Sequence, residues 1–270
     1  MKKISVVTIV KNRQPALENL IIGLSQNAQL PNELIVIHMN EEPYNLKNQA
    51  FEIKAITMCG EGLPLAAARN FAIEHATFEH VIFLDADCIP AADLIMRYSE
   101  LFLKDMLLCG RTKYLPKSVM QYQQFWTDLN EISEPDPIRS SVEQYPYELF
   151  WSLNFACSKT VYSKIGGYDE GYIGYGAEDT DFAFSARAAG VEMQTVDAFA
   201  YHQYHASYNP PLNHLNDIVA NAMYFYQKWK KWPMEGWLKR FADMKLIKWE
   251  NDSIEVIRNP SADEILSALK

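Results

Sequence analysis

Two aspartates stand two residues apart in Phe83-Leu84-Asp85-Ala86-Asp87, directly after the apolar run Val81–Leu84. A short buried strand that stops in carboxylates presents them where open α/β sheets bind ligands, at the carboxyl edge. There Asp87 can offer oxygens to a hard divalent cation, and Asp85 can reach the same ion, a metal-bound water or a ribose hydroxyl. Taken alone, the pair is equally a solvated loop that ends a strand. A second acidic cluster closes the stretch Gly166-Gly167-Tyr168-Asp169-Glu170 to Glu178-Asp179-Thr180-Asp181-Phe182. Acids at a helix start complement the helix dipole, which favours an ionised Asp179. The dipole does not account for the preceding loop of alternating glycine and tyrosine. Glycines there let backbone approach a ligand closely, and aromatic faces stack on a sugar or a base. Tyr201-His202-Gln203-Tyr204-His205 adds two imidazoles, in a spacing that does not form the H-E-x-x-H of zinc proteases.

The elements that must position these groups are legible from periodicity. Residues 4–10 and Leu34–Ile37 are apolar and rich in β-branched residues, as expected of strands buried on both faces. Weaker strands are predicted over Phe51–Thr57, Met106–Cys109 and Gln194–Ala200, and a clear one over Val81–Leu84. Leu17, Leu20, Ile21 and Leu24 mark a helix with Pro15 near its start. Further helices are expected over Leu65–Ala76 and around Leu94–Phe102. Phe182, Ala186 and Ala189 share another helical face, with Gly190 at the cap. Strands alternating with helices imply a mostly parallel sheet covered on both faces. Residues 116–150 lack periodicity and read as loops and short helices crossing the sheet. After Asn209-Pro210-Pro211, the residues Leu215, Ile218, Val219, Ala222, Phe225, Tyr226 and Trp229 form one apolar stripe, and Trp232-Pro233 closes that helix.

The chain has 270 residues, 49% hydrophobic and 22% charged, enough for a substantial core. Its formal charge of −9 makes it a poor general binder of nucleic acid. The N-terminal apolar run is too short to span a bilayer and carries no cleavage signal, so a cytoplasmic protein is expected. Cys59, Cys88, Cys109 and Cys157 form no C-x-x-C pair and are expected to be buried, reduced thiols. Against the acidic average, the segment 226–248 sets Lys228, Lys230, Lys231, Lys239, Arg240, Lys245 and Lys248 against Glu235 and Asp243, with Trp229, Trp232, Trp237 and Phe241 interleaved. Amphipathic helices with a basic outer face are the favoured reading; weak attachment to an anionic inner-membrane face is the sharper one. Trp126 suits either an acceptor sugar or ordinary packing.

Gly166 to Phe182 resembles the carboxyl-terminal galactosyltransferase-type motif of glycosyltransferase family 2 and its GT-A relatives. Thr8-Ile9-Val10-Lys11-Asn12-Arg13 resembles that family's first strand and nucleotide loop. Leu63-Pro64-Leu65-Ala66-Ala67-Ala68-Arg69-Asn70 resembles its A-R-N helix, and Asp85-Ala86-Asp87 falls where its metal motif belongs. The four matches run in the family's order over residues 4–205.

The resemblance implies a GT-A fold, with a catalytic domain over 1–208 and a C-terminal helical extension over 209–270. The nucleotide-binding half is expected over about 1–115 and the acceptor half over about 116–208. It implies an inverting, metal-dependent transfer of a hexose of galactose or N-acetylgalactosamine type. The donor is expected to be UDP-linked and the acceptor a hydroxyl of a saccharide or lipid-linked molecule. Thr8, Asn12 and Arg13 would line the nucleotide pocket, and Arg69 would approach the base or diphosphate. Asp85 and Asp87 would hold ribose and a Mn²⁺ or Mg²⁺ ion. Glu178 would bind a sugar hydroxyl and Asp179 would be the catalytic base. A histidine after the acidic motif would complete the metal site, His205 favoured over His202. The chain departs from the family at His38-Met39-Asn40-Glu41, where an acid pair is usual; Asn40 is the residue left to meet a base edge. Two rival classes are a nucleotidyltransferase, disfavoured because residues 8–16 contain no glycine, and a non-enzymatic carbohydrate-binding module, which would need neither Asp179 nor a nucleotide.

Overall fold

The computed structural model describes residues 2–47, 50–102, 105–121, 126 and 128–270. In chain order its elements are β1 (Ile4–Val10), α1 (Gln14–Ser25), β2 (Glu33–Met39), β3 (Glu52–Met58), α2 (Leu65–His75), β4 (His80–Leu84), β5 (Cys88–Pro90), α3 (Leu94–Leu101) and β6 (Leu107–Tyr114). There follow α4 (Leu129–Ile132), β7 (Glu134–Pro135), β8 (Asn154–Ser158), α5 (Lys159–Ile165), α6 (Glu178–Ala188) and β9 (Met193–His202). The C-terminal part holds α7 (Leu215–Trp229), α8 (Glu235–Asp243), a hairpin of β10 (Ile247–Trp249) and β11 (Ile254–Val256), and α9 (Ala262–Ser267).

The main sheet runs β3-β2-β1-β4-β8-β6-β9-β5, with β7 on β6. Its first half is parallel, as expected from strands alternating with helices. Beyond β4 it is mixed: β8 runs antiparallel to both β4 and β6, and β5 antiparallel to β9, while β6 and β9 are parallel. β8 arrives from the long excursion at 116–150 rather than from a helical crossover, which releases it from parallel pairing.

Alternation along β1 explains why its seven residues are all buried. Val7 and Ile9 face one side of the sheet, where they meet α2, α5 and α6. Ile4, Val6 and Val10 face the other, against α1 and α3. Each such side chain stabilises the fold by about 1.5–3 kcal/mol. Cys88, Cys109 and Cys157 lie in this interior, but Cys59 is exposed, which corrects the expectation for that thiol. It lies just past the edge strand β3, where the chain leaves the sheet.

The C-terminal part has its own cluster, built on Leu212, Leu215, Ile218, Leu238, Phe241 and Ile247, into which Tyr175, Trp232 and Trp249 pack. Phe225 and Trp229 instead join Tyr172, Ala177 and Phe184 of the Gly/Tyr loop and α6. α7 ends at Trp229 on a left-handed Lys230 (φ 54°), earlier than Trp232-Pro233. Trp126 packs with Ile89, Leu115 and Tyr201; its neighbours Gln124, Phe125 and Thr127 lie outside the described residues. Among the described residues no helix is long and apolar enough to cross a membrane.

Candidate active site

A cavity of about 530 Å³ opens at the carboxyl ends of β1 and β4, within the range of small-ligand sites. Lys11, Arg13, Met39, Arg69, Asp85 and Asp87 line it together with Trp151, Tyr175, Glu178, Asp179, Met234 and Trp237, and His202 and His205 are also on its wall.

Asp87 is 8% exposed and sits among three basic groups. Arg13 Nη1 donates to its Oδ2 at 2.7 Å, His202 Nε2 is 3.5 Å from Oδ1, and His205 Nε2 is 3.6 Å from Oδ2. Pairing of Cys88 with His202 across β5 and β9 sets this register, and the Gln203 N–H donates to the Asp87 carbonyl at 2.8 Å. His205 Nδ1 lies 3.1 Å from the Ala206 carbonyl, so that nitrogen carries the proton and Nε2 keeps its lone pair toward Asp87. Burial lowers the pKa of His205, which favours that neutral ring. One ligand atom each from Asp87, His202 and His205 lies within 4.8 Å of the others. Asp87 Oδ1 is buried without a hydrogen-bond partner. An orphaned carboxylate oxygen beside two imidazole nitrogens suits a divalent cation. Both histidines stand at Asp87, whereas Asp85 is turned the other way, with its Oδ1 3.7 Å from Arg69 Nη2.

Arg69 links the two acidic clusters. Its guanidinium also donates to Glu178 Oε1 at 3.1 Å and lies 5.2 Å from the Tyr168 ring centre. It is 6% exposed, so its charge is committed to protein carboxylates rather than presented freely to a diphosphate. Burial raises the Asp85 pKa, Arg69 opposes that, and Asp87 adds to the rise.

α6 opens on Ala177, held left-handed at φ 73°, so Glu178 and Asp179 occupy its first turn. Glu178 turns to Arg69. Asp179 faces the cavity, with its Oδ1 accepting from the Thr180 N–H at 2.7 Å. Burial and the neighbouring Glu178 raise its pKa to about 7, against Arg69 and the Thr180 hydrogen bond. Loss of water and a like charge thus act against the ionised form that the helix dipole favours.

Three expected nucleotide contacts lie outside the cavity wall. Thr8 is 2% exposed, with its hydroxyl buried and unpartnered beneath the site. Asn12 is exposed and left-handed (φ 55°), and its N–H donates to Glu41 Oε2 at 2.7 Å. Asn40 spends its amide on the following loop: its Nδ2 donates to the Gly62 carbonyl and its Oδ1 accepts from the Gly60 N–H. Sequence reading missed Glu41, whose carboxylate ties the β1 loop to His38, with His38 Nδ1 3.3 Å from Oε1. It also missed Met234 and Trp237, which the C-terminal part contributes to the cavity, and the polar face of α7. An asparagine at 221 inside an apolar stripe was the available signal, because a buried amide must find partners.

The profile of glycosyl transferase family 2 matches residues 5–162, and the chain belongs to that family. A profile described as the N-terminal domain of galactosyltransferase matches residues 138–208, which include the Gly/Tyr loop and both histidines. The chain is 28% identical to chondroitin synthase of Escherichia coli over 181 residues, 56% of this chain and 26% of that protein. It thus spans about a quarter of that relative's length. Among solved structures, S. aureus TarS 1–349 in complex with UDP superposes with a TM-score of 0.55 at 16% identity, over 83% of this chain and 65% of that one. GalNAc-T7 with UDP, GalNAc and Mn²⁺ gives 0.52 at 15% identity, over 76% of this chain and 44% of that one. At such identities the likeness establishes the fold, which is the GT-A fold.

Proposed function

We propose that the chain transfers a hexose, of galactose or N-acetylgalactosamine type, from a UDP-sugar to a hydroxyl of a saccharide or lipid-linked saccharide, with inversion. The observation that carries this reading is that Asp179 and the Asp87-His202-His205 cluster face one cavity from opposite acidic loops. UDP in TarS, and UDP, GalNAc and Mn²⁺ in GalNAc-T7, support the choice of donor and cofactor.

Asp87, His202 and His205 would hold the divalent cation. One carboxylate with two imidazoles favours Mn²⁺ over the harder Mg²⁺. When bound, the ion supplies positive charge against the leaving diphosphate. Lys11 and Arg13, at the end of β1, add charge on the same side, and arginine pairs well with phosphate oxygens. Asp179 accepts the proton of the acceptor hydroxyl as that oxygen bonds to the anomeric carbon and the bond to UDP breaks. A raised pKa suits a base working near neutral pH. Arg69 keeps Asp85 and Glu178 in place beside the reacting centre, where Glu178 has one oxygen left for a sugar hydroxyl.

Calorimetric titration of UDP with and without Mn²⁺ is the first test, followed by a screen of UDP-galactose, UDP-N-acetylgalactosamine and UDP-N-acetylglucosamine for metal-dependent UDP release. UDP binding that ignores Mn²⁺, or no binding at all, would remove the reading.

A further inference from the structure

Four residues of α7 turn polar groups onto the Gly/Tyr loop and the start of α6. Asn221, 4% exposed, shares its Nδ2 protons among the carbonyls of Ile173 (3.1 Å), Gly176 (3.0 Å) and Tyr175 (3.4 Å). Further along the same face, Tyr224 donates to the Asp169 carboxylate at 3.3 Å. Lys228 bridges Asp169 (3.0 Å) and Asp181 (2.9 Å), and Trp229 Nε1 donates to Asp181 at 2.6 Å. Spacings of three, seven and eight residues put all four on adjacent turns of one helix.

Those contacts hold both ends and the middle of a segment whose backbone is held in a costly conformation. Gly174, Gly176 and Ala177 are all left-handed, at φ 78°, 102° and 73°. For Ala177 that conformation carries a steric cost and persists only where the surroundings impose it. A methyl group on Gly174 would stand 2.5 Å from the Asp217 carboxylate of α7, and one on Gly176 would stand 2.7 Å from Met234 Sδ. The loop therefore lies flat on the C-terminal part, and Asp179 is three residues past the last carbonyl that Asn221 holds.

We propose that Asn221 is a positioning residue for Asp179: by fixing the carbonyls of residues 173, 175 and 176 it holds the left-handed turn that aims Asp179 into the cavity. The inference rests on the reading of Asp179 as the base, and it makes the C-terminal part a component of the active site. α7 itself does not line the cavity, so Asn221 acts through the loop.

The test replaces Asn221 with leucine, equal in size but without a donor, and with serine, which keeps one. Three quantities are read on the full chain: deuterium exchange of residues 172–180, Mn²⁺-dependent UDP affinity, and steady-state release of UDP from whichever UDP-hexose the wild type turns over. Asn221→Leu is expected to speed exchange in that segment at least tenfold and lower kcat by 10–100-fold, with UDP affinity and donor KM within about twofold. Asn221→Ser should fall between leucine and wild type in exchange and in kcat. Wild-type exchange and kcat in the leucine variant overturn the proposal, as does a serine variant no better than leucine. Equal losses of kcat and UDP affinity overturn it too, because they mark a general folding defect. If the leucine variant cannot be purified, serine alone decides, and wild-type exchange and rate in it sink the idea. Failure of the base reading is seen separately, as undiminished transfer by Asp179→Asn, while the exchange data still judge Asn221.

Discussion

The acids at the end of β4 and the acids at the start of α6 line one cavity, yet their surroundings differ. Asp87 is surrounded by an arginine and two imidazoles, with one oxygen left orphaned. Asp179 has no ion-pair partner within 4 Å among the described residues and shares its turn with Glu178, so its proton affinity rises. Asp181, two residues on and 1% exposed, is filled by Tyr172, Lys228 and Trp229 and serves the fold. What separates a candidate metal ligand, a candidate base and a brace here is which donors the tertiary structure brings to each carboxylate. Arg69 spans the two loops and pairs with Asp85 and Glu178, while Asp87 and Asp179 are outside its ion pairs.

The sharpest break of this comparison is Asp179→Asn. The change is nearly isosteric and keeps an acceptor for the Thr180 N–H, so fold and Mn²⁺-dependent UDP binding should persist. Transfer to an acceptor found by screening should fall by about two to four orders of magnitude, the usual worth of a general base. A variant that transfers at near wild-type rate would move the role to another acid. On the other loop, Asp87→Ala should weaken Mn²⁺-dependent UDP binding by roughly 100-fold or more in calorimetry, because loss of a direct ligand exceeds the 10–100-fold cost of losing its support. Unchanged affinity would dissolve the contrast between the loops.

Asp181→Ala should do neither. It leaves the Trp229 N–H and the buried Tyr172 hydroxyl without their acceptor and Lys228 with Asp169 alone, and should cost about 2–4 kcal/mol in urea unfolding while UDP affinity stays close to wild type. The histidines divide more finely. His202 and His205 stand at 3.5 and 3.6 Å from Asp87, so alanine at either should raise the Mn²⁺ concentration needed for half-maximal UDP binding by about tenfold. A large effect at only one would reduce the site to two protein ligands.

The smallest effect expected is a matter of pH. Because the base must be unprotonated, metal-saturated turnover should rise with pH through about 7, the value to which the Asp179 pKa is raised. The same raised pKa means the folded state holds this proton more tightly than the unfolded chain. The stability it confers is present in acid and is lost as pH rises through about 7. Asp179→Asn removes that loss, so without metal its melting temperature should gain on wild type at pH 8 more than at pH 4. An equal difference at both values would contradict the raised pKa.

Much of the fold was written in local pattern. The apolar runs of β1, β2 and β4 and the helical faces of α1 and α7 are repeats of two and 3.6 residues, and such repeats reflect burial that any parallel α/β sheet imposes. Asp85, Asp87, Asp179 and the histidine loop were legible because their spacings sit at strand or helix ends. The register that sets His202 beside Asp87 was not, since it depends on a three-residue strand, β5, pairing with one more than a hundred residues away. Asn12 and Asn40 looked like ligand contacts by position, but the tertiary structure uses them to join loops. On α7 only Asn221 gave a signal, as an amide beside the apolar stripe; Tyr224 and Lys228 read as ordinary polar positions, and the partner of all three, the Gly/Tyr loop, is set by the tertiary structure. Local pattern fixes which residues are buried, whereas the partners of a buried charge come from distant segments, and those partners decide its proton affinity and its task.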